Sequence, residues 1–494
     1  MNTPSLDSIE QNEYGFKFDN SYLKLPELFY SKLKPTKVKS AKLVIINNDL
    51  AMTMGLKLEG KSEKDTAALL SGNIITKGSV PFAQAYAGHQ FGHFTMLGDG
   101  RAHVWGEHIQ PDRKRVDIQY KGSGRTPYSR GGDGRASLGP MLREYIISEA
   151  MAALGIPTTR SLAVVSTGED VIRETVLPGA ILTRVASSHI RVGTFEYSAI
   201  KGNKELVNSL LNYTINRHYP EIENDSHKAL SFLKMVINRQ IDLIVNWMRV
   251  GFIHGVMNTD NMCVSGETID YGPCAFMDTY HPDTVFSSID HMKRYAYANQ
   301  PIIAQWNITR LAETLLPLIS EDQDHAIEMA KEVLSTFMTQ YDEKWTNMMR
   351  SKLGLFDTQP TDKQLVIDLL DWMKKEQADY TNTFRALSQK EKPVGNQYET
   401  DTFSRWHKKW QLRLELQQKS ITDSVNMMKQ NNPMIIPRNH NVEKALKAAI
   451  ENNIKPFNHL LNALQTPYEE NNDSAIYQTP PSPDEQVYQT FCGT

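Results

Sequence analysis

The spacing of apolar residues predicts a strand-rich first half of the chain. Apolar and polar residues alternate in RAHVWGEHI, Arg101 to Ile109, and in VDIQYK, Val116 to Lys121. Alternation with a period of two is typical of strands that bury one face. KVKSAKLVIINND, TGEDVIRE and ILTRVAS are further predicted strands. We therefore expect most of the sheet between about residues 71 and 200, with one strand before it.

Apolar residues at helical spacing dominate the second half. MLREYIISEAMAAL predicts a helix from about Pro140 to Leu154. Gly139 and Pro140 at its start suit an N-cap and a first turn. A longer helix is predicted to end at Gly251, and the pattern then favours helix almost continuously from about residue 310 to Leu464.

These patterns predict an α+β protein with several segments. A chain of 494 residues is too long for one compact core of ordinary size. We expect an N-terminal extension (1–70), a strand-rich lobe (71–200), an enlarged helical lobe (201–465) and a tail (466–494). The tail contains four prolines and no Lys or Arg, which favours a flexible segment or an extended strap.

Composition narrows the function classes. With 54 basic and 57 acidic residues the net charge is -3, so the chain lacks the basic field that nucleic-acid binders use. No apolar stretch approaches the roughly 20 residues of a membrane helix, and the N-terminus does not resemble a signal peptide. The three cysteines form no paired spacing, which fits a reducing compartment. We expect a cytoplasmic protein without nucleic-acid or membrane partners.

A glycine-containing turn precedes a strand that ends on a lysine. Gly98, Gly100 and Arg101 lie in LGDGRA, where small residues let the backbone approach phosphate oxygens. The third glycine of a GxGxxG loop is absent, since His103 occupies that position, and alone the segment is a plain β-turn. Lys121 ends the next strand and can reach nucleotide phosphates, although an isolated lysine there is more often a surface residue.

A cationic, glycine-rich loop follows in KGSGRTPYSRGGDGR. Its three arginines suit a phosphate clamp, and a solvated linker is the alternative. Asp133 and Gly134 can lie against the ribose or the phosphates. Glu144, one turn into the following helix, can pair with Lys121, and Glu149 is a rival partner.

The segment FIHGVMNTDNMCVSGETIDYGP carries the strongest signal. Aligning His254 with the kinase pattern H-R-D-x-x-x-x-N puts Asn261 in the metal-binding Asn position and Asp270 in that of D-F-G. Both are hard oxygen ligands suited to Mg²⁺. Val256 falls where a kinase has its acceptor-positioning Asp, and Val cannot accept a proton. Asp260 is the natural substitute as base, with a simple turn role as the alternative.

A second constellation, AGHQFGH, places His89 and His93 four residues apart. On a helix this spacing would resemble the HExxH of zinc proteases, but Gln90 replaces the essential Glu and Gly92 weakens a helix. Packing or a loop role is the better interpretation of these histidines.

Long stretches of this sequence resemble the selenoprotein O family. The matching segments are GHQFGHFTMLGDGRA, QYKGSGRTPYSRGGDGRA, MLREYIISEA, HGVMNTDNM and DYGP, spread from about Pro81 to Tyr280. The resemblance implies a protein-kinase-like, two-lobed fold that transfers AMP from ATP to protein hydroxyls. Bacterial members are also associated with UMP transfer. It further implies that the nucleotide lies inverted relative to ordinary kinases, so that its α-phosphate faces the acceptor.

Site roles follow from the resemblance, residue by residue. It implies Asp260 as catalytic base, Asn261 and Asp270 as ligands of Mg²⁺ or Mn²⁺, and Glu144 as the partner of Lys121. The implied nucleotide-binding residues are Gly98, Gly100, Arg101, Lys121, Asp133, Gly134, Arg184, Arg191 and Asp270. Spacing alone would not have selected Arg184 and Arg191, which bind the terminal phosphates if the nucleotide is inverted.

The C-terminus departs from part of the family. Eukaryotic members carry selenocysteine near this end, whereas this chain ends FCGT with Cys492. The match suggests a redox-linked tail in which Cys274 is the partner of Cys492, and an ordinary tail thiol is the alternative.

Three functions stay open from sequence. The first is a protein adenylyltransferase that uses Mg-ATP, or UTP, on Ser, Thr or Tyr of other proteins or of itself. The second is a conventional kinase with Asp260 as base, against which Val256 counts. The third is a non-catalytic nucleotide-binding scaffold, against which the retained Lys121, Asn261 and Asp270 count.

Overall fold

The structure, a computed structural model, describes residues 9–389, 393–470 and 472–491. Within them, antiparallel strands dominate the N-terminal part and helices the C-terminal part, so the α+β prediction is confirmed. The strands are β1 Tyr30–Lys32, β2 Lys42–Ile46, β3 Phe82–Gln84, β4 Ala87–Gln90, β5 His93–Met96, β6 Ala102–Ile109, β7 Arg115–Lys121, β8 Ala136–Ser137, β9 Arg160–Ile172, β10 Val176–Ala186, β11 Phe252–Ile253 and β12 Ala275–Phe276.

The helices begin between the first strands and dominate from residue 192 onwards. They are α1 Asn48–Thr53, α2 Glu63–Leu70, α3 Leu138–Ala153, α4 Val192–Lys201, α5 Lys204–His218, α6 Lys228–Val250, α7 Gln300–Ile319, α8 Gln323–Ser335, α9 Phe337–Lys352, α10 Asp362–Lys375, α11 Tyr380–Leu387, α12 Asp401–Glu415, α13 Ile421–Asn431, α14 Asn439–Ile450 and α15 Lys455–Leu464.

The main sheet has the strand order β1-β3-β6-β7-β10-β9-β2, with β8 paired to β10. The register of β7 and β10 places Arg184 opposite Gln119, and Lys121 lies two residues further along β7. Since side chains alternate between the faces of a sheet, these three side chains share one face. That face carries the polar groups of the site.

Helix α3 packs on β9 and β10 and brings Glu144 to the same face of the sheet. Its inward residues belong to one continuous apolar core that extends through α6 and into the C-terminal helices. A second cluster, centred on Trp105 and Tyr120, fills the opposite side of the sheet. The sheet is therefore held from both sides, which fixes the strands that carry the site.

Helix α6 leads directly into the loops of the site. It ends at Gly251, as predicted, and this glycine adopts φ 73°, the left-handed conformation that commonly closes a helix. β11 and β12 then pair, and the chain between them forms a loop that returns beside the sheet. The loop holds both Asp260 and Asp270.

The outer segments pack on this frame. Residues 9–70, predicted as an extension, contribute β1 and β2 to the main sheet, so they form part of the strand-rich region. In the tail, Thr490 is buried, its N–H donates to Phe286 O at 2.7 Å, and its Oγ1 donates to Pro273 O at 2.5 Å. The boundaries expected at residues 70, 200 and 465 stay predictions.

No helix among the described residues combines the length and apolar character that crossing a membrane requires.

Candidate active site

A cleft of about 1350 Å³ lies between the main sheet, the loop from Val256 to Pro273 and helix α14. Every site residue predicted from the sequence lines it. These are Gly98, Gly100, Arg101, Lys121, Asp133, Gly134, Glu144, Arg184, Arg191, Asp260, Asn261 and Asp270. Their roles stay predictions, but their convergence on one cleft from seven separate segments is a structural fact.

Lys121 joins the sheet, helix α3 and the loop. Its Nζ donates to Glu144 Oε2 at 2.6 Å and to Asp270 Oδ1 at 2.7 Å. Glu149, the rival partner, is occupied elsewhere, since it accepts from Arg160 at 2.6 Å. A buried Lys–Glu pair with an adjoining Asp is the arrangement that holds nucleotide phosphates and metal in protein kinases.

Two buried arginines point at the same carboxylate. Arg184 NH1 donates to Asp270 Oδ1 at 2.7 Å and to Glu144 Oε1 at 3.0 Å. Arg191 lies with NH2 4.0 Å from Asp270 Oδ2 and with its guanidinium 4.2 Å above the ring of Tyr86. Nε and NH1 of Arg191 are buried without a hydrogen-bond partner. Unpaired guanidinium donors in a cleft are suited to an anionic ligand.

Asp270 is held charged in an unusual backbone conformation. Its φ is 62°, which is uncommon for a residue with a side chain and marks sites where surrounding contacts impose the geometry. Burial opposes ionisation, but Lys121, Arg184 and Arg191 outweigh it and hold the pKa of Asp270 well below its usual range. The carboxylate is therefore ionised at neutral pH.

Asp260 lies in the opposite electrostatic situation. Its side chain is buried (9% exposed), and burial, reinforced by the charge of Asp270, raises the pKa of Asp260 to about 6 despite the opposing effect of Arg191. Gln90 Nε2 donates to its Oδ2 at 3.4 Å, while Oδ1 has no hydrogen-bond partner. A carboxylate with one oxygen free of hydrogen bonds and a pKa near neutrality is suited to accept a proton.

His254 joins the two loops of the site. Its Nε2–H donates to Ile269 O at 2.9 Å, and its Nδ1 accepts from Val256 N–H at 3.3 Å. The histidine is stacked on Trp247, with ring centroids 5.4 Å apart, and burial lowers its pKa. A neutral imidazole thus fixes the distance between the segment before Asp260 and the residue before Asp270.

Asn261 and Asp270 fit the oxygen ligands of a divalent cation. Asn261 Nδ2 donates to Val256 O at 3.0 Å, which turns the amide so that its oxygen faces away from that carbonyl. Asp270 Oδ1 is used by Lys121 and Arg184, and Oδ2 lies 4.0 Å from Arg191. No group of three His, Cys, Asp or Glu side chains in the described part of the chain could hold a metal. The donor set fits Mg²⁺, which commonly binds one or two protein oxygens together with substrate phosphates.

The two predicted glycines lie under the cationic loop. A Cβ at Gly98 would come within 2.4 Å of the Tyr128 ring, and one at Gly100 within 2.8 Å of Tyr128 O. Packing against Tyr128 therefore explains why both are glycine. Whether this turn also binds phosphates is a separate question, and the nucleotide-binding role of Gly98 and Gly100 stays a prediction.

In the cationic loop the carboxylate of Asp133 is already paired. It accepts from Arg173 NH1 at 2.9 Å and from the Arg135 N–H at 2.9 Å. Gly134 has φ 69°, and a Cβ there would lie 2.2 Å from the carbonyl of Gly124. In this structure Asp133 and Gly134 shape the loop, and direct contact with nucleotide stays a prediction.

Several lining residues escaped the sequence analysis. Tyr86 and Asp99 surround Arg191, and Asp99 Oδ1 lies 3.6 Å from its NH1. Helix α14 adds Lys447 and Ile450 to the far wall of the cleft. No local pattern identifies them, because their proximity depends on the tertiary fold.

His89 and His93, examined as a zinc pattern, lie on the two strands of the β4–β5 hairpin. His89 Nδ1 is 2.5 Å from Glu196 Oε1, and the His93 side chain is exposed. Cys274 is buried beside the docked tail. Cys492 lies outside the described residues, so its pairing with Cys274 stays a prediction.

These contacts define a class of protein. An antiparallel sheet joined to a helical region, with an ion-paired Lys–Glu–Asp set and an Asn–Asp oxygen pair where they meet, is the site arrangement of kinase-like nucleotide enzymes.

Comparison with known proteins identifies the family. The family described as protein adenylyltransferase SelO matches residues 13–465. A protein nucleotidyltransferase YdiU of Nitrosococcus oceani is 56% identical over 99% of this chain and 100% of its own. Those of Bacillus cytotoxicus and Brevibacillus brevis are 56% and 57% identical, over 98% of this chain and 99% and 98% of theirs. The chain belongs to the SelO family of protein adenylyltransferases, so the predicted resemblance is confirmed.

Among solved structures, a Toxoplasma gondii protein matches with a TM-score of 0.24 at 11% identity. It is described as ROP2, a virulence factor with a protein-kinase fold and no enzymatic activity, and the match covers 69% of this chain and 84% of that one. A likeness this weak carries no further inference.

Proposed function

We propose that this chain transfers AMP from ATP, or UMP from UTP, to hydroxyl groups of protein side chains and releases pyrophosphate. Family membership supports the nucleotidyl transfer, and the cleft supplies the groups it needs. The observation that carries the proposal is that Asp260, whose buried Oδ1 has no hydrogen-bond partner, lines the same cleft as Lys121, Arg184 and Arg191.

The cations form one wall of the cleft. This cationic wall consists of Lys121, Arg184 and Arg191, each within 4.0 Å of Asp270. It binds the phosphates of the nucleotide, with the inverted orientation of the family bringing the terminal phosphates to Arg184 and Arg191. Nε and NH1 of Arg191 have no hydrogen-bond partner, so they are the donors that gain most from a phosphate, because buried donors without acceptors are costly.

Asp260 carries out the proton transfer. Its carboxylate accepts the proton of the acceptor hydroxyl as the hydroxyl oxygen attacks the α-phosphorus. The bond from the α-phosphorus to its bridging oxygen breaks, and pyrophosphate leaves with the electron pair. Mg²⁺ or Mn²⁺ held by Asn261 and Asp270 would neutralise phosphate charge when bound. Val256, in the position of the usual kinase base, takes no part in proton transfer.

The substrates are other proteins, with the chain itself as a further acceptor, and the reaction takes place in the cytoplasm. The sparse cysteines support that location, because they fit a reducing compartment. Serine, threonine and tyrosine all offer a hydroxyl of the kind that Asp260 would deprotonate.

The position of a transferred label tests the proposal. The protein is incubated with soluble bacterial proteins and ATP labelled at the α- or the γ-phosphate, and with α-labelled UTP in parallel. We expect label in protein from the α-position only, and loss of that label in Asp260→Asn. Asp112→Asn, an exposed aspartate in the β6–β7 turn, is the matched control and keeps full transfer.

Two other outcomes would contradict the proposal. Label from the γ-position alone would indicate a kinase with Asp260 as base. No label from either position, combined with nucleotide binding in calorimetry, would indicate a scaffold.

A further inference from the structure

The β4–β5 hairpin contacts three consecutive residues of the loop that carries Asp260. The hydrogen bonds run from Phe91 N–H to Asn258 Oδ1 (3.1 Å), from His89 N–H to Thr259 Oγ1 (2.7 Å) and from Gln90 Nε2 to Asp260 Oδ2 (3.4 Å). Three consecutive residues of the hairpin are therefore hydrogen-bonded to three consecutive residues of the loop. Such a match fixes the loop in position and in rotation.

Glu196 of α4 holds the hairpin and the loop together. Its Oε2 accepts from Thr259 Oγ1 at 2.6 Å, and its Oε1 lies 2.5 Å from His89 Nδ1. Glu196 is buried, and α4 packs directly on β4. The Thr259 hydroxyl uses both its proton and a lone pair, because it donates to Glu196 and accepts from His89. The hydroxyl of the threonine next to Asp260 is thus hydrogen-bonded both to the hairpin and to α4.

The fit leaves no room for side chains at the contact. A Cβ at Gly88 would lie 2.4 Å from Asp260 Oδ1, and one at Gly193 would lie 2.0 Å from Ala87 O. The backbone of the hairpin itself therefore packs against the Asp260 carboxylate. A side chain at Gly88 would displace the Asp260 carboxylate.

The turn of the hairpin is held in an uncommon conformation. Phe91 has φ 51° and Gly92 has φ 87°, and positive φ is uncommon for a residue such as Phe. The Phe91 ring packs 5.1 Å from the ring of Tyr295, whose hydroxyl donates to the same Asn258 Oδ1 at 2.6 Å. The contacts with the loop and with Tyr295 hold this turn in place.

We propose that the hairpin of residues 87–96 and Glu196 form a positioning frame for Asp260, in which Gln90, Thr259 and Glu196 are positioning residues. The frame rests on the proposed role of Asp260. It explains why a motif with two histidines adjoins the cleft without forming a metal site. The frame holds the base against the acceptor, whereas the cationic wall on the other side binds the nucleotide.

Thr259→Val tests the frame with little change in volume. We expect kcat to fall roughly 10- to 100-fold, because small displacements of a reacting group carry costs of that size. The Kd for ATP, measured by calorimetry, stays within about twofold, since the cationic wall is untouched. Thr259→Ser restores most of kcat because the hydroxyl returns. Gln90→Leu gives a smaller loss, about 3- to 10-fold, since its hydrogen bond is long.

A matched control and a double variant separate positioning from general damage. His93→Ala, an exposed residue of the same hairpin, keeps kcat and the ATP affinity of the parent. Glu196→Gln combined with Thr259→Val costs little more than either change alone, because both break one hydrogen-bonded unit.

Amide hydrogen exchange of residues 256–262 provides a readout that does not depend on activity. We expect these amides to exchange faster in Thr259→Val and in Gln90→Leu than in the parent protein. In His93→Ala the exchange rates should equal those of the parent. Unchanged kcat with unchanged exchange would overturn the frame. So would parallel losses of kcat, ATP affinity and Tm that Thr259→Ser does not reverse. If the unmodified protein transfers no label, the proposed function fails, and exchange still decides whether the hairpin orders the loop.

Discussion

The two walls of the cleft differ in the kind of polar atom that they leave without a hydrogen-bond partner. On the cationic wall, Lys121 and Arg184 are each hydrogen-bonded to both Glu144 and Asp270, whereas the donors Nε and NH1 of Arg191 have no hydrogen-bond partner. On the loop wall, formed by Asp260 and Asn261, Asp260 keeps a buried oxygen without a partner. Donors without a partner suit phosphate oxygens, and an acceptor without a partner suits a hydroxyl proton. The comparison therefore supports the proposal that the sheet side binds the nucleotide and the loop side transfers the proton.

The two aspartates show the same contrast in their protonation. Three cations hold the pKa of Asp270 well below its usual range, whereas burial raises the pKa of Asp260 to about 6. Carboxylates driven apart in this way within one cleft take different roles. In the proposed mechanism Asp270 stays charged and Asp260 takes up a proton.

Replacing Asp270 should give the largest effect, because it lies between the two walls and contacts all three cations. Asp270→Ala removes the proposed cation ligand and the carboxylate shared by Lys121 and Arg184. We expect nucleotidyl transfer to fall on the order of 10³-fold or more, with a lower Tm because two buried cations lose a partner. Initial rates of label transfer and thermal melting measure both. Full activity in this variant would refute the role of Asp270.

Asp260→Asn should separate the walls most cleanly. We expect kcat to fall by about 10²- to 10⁴-fold, the range that general base catalysis supplies. The ATP Kd from calorimetry should stay within about threefold, since the amide keeps the volume and the cationic wall is intact. An equal loss in affinity and in kcat would show that Asp260 binds nucleotide, and the comparison would fail.

Arg191→Met tests the binding wall. The substitution removes guanidinium donors that have no hydrogen-bond partner in the protein. The affinity for ATP should weaken about 10- to 100-fold, because hydrogen bonds to charged groups contribute about 1.5–3 kcal/mol each. Calorimetry gives the Kd, and kcat at saturating ATP should change less. Lys114→Met, at an exposed turn, is the control. Unchanged affinity would remove Arg191 from the wall.

The pH dependence of kcat should give the smallest effect. The active form of Asp260 is the carboxylate, so kcat falls as pH drops through its pKa, which burial raises to about 6 from 3.8. A bound cation favours the carboxylate, so the midpoint in the loaded enzyme should lie at or below about 6 and above the ordinary value. Below it the rate should fall about tenfold per pH unit. If Asp260→Asn kept the same pH profile, a group other than Asp260 would control the fall of kcat at low pH.

The elements of this fold were largely predictable, because their patterns are local. Alternation located β6 and β7, and helical spacing located α6 and its end at Gly251. Helix α3 begins at Leu138, two residues before the predicted Pro140, and its N-cap is Ser137, so the prediction of Gly139 as N-cap is wrong and Gly139 and Pro140 lie within the first turn. The positions of Lys121, Asn261 and Asp270 were predicted from motif order.

The rest of the site depends on contacts between distant segments. Arg184 faces Lys121 only because of the register between β7 and β10, which no local pattern reveals. The resemblance, not the spacing, selected Arg184 and Arg191. Gln90 lies in the AGHQFGH motif, whose histidine spacing resembles that of a zinc site. The contact of Gln90 with Asp260 joins residues that are 170 positions apart in the sequence.

The mass added to an acceptor protein tests the central claim most directly. After incubation with ATP and Mg²⁺, intact-mass spectrometry of the protein itself and of a modified acceptor should show the addition of an adenylyl group, absent in Asp260→Asn. Addition of a phosphoryl group instead, with the same dependence on Asp260, would contradict the account and make the protein a kinase.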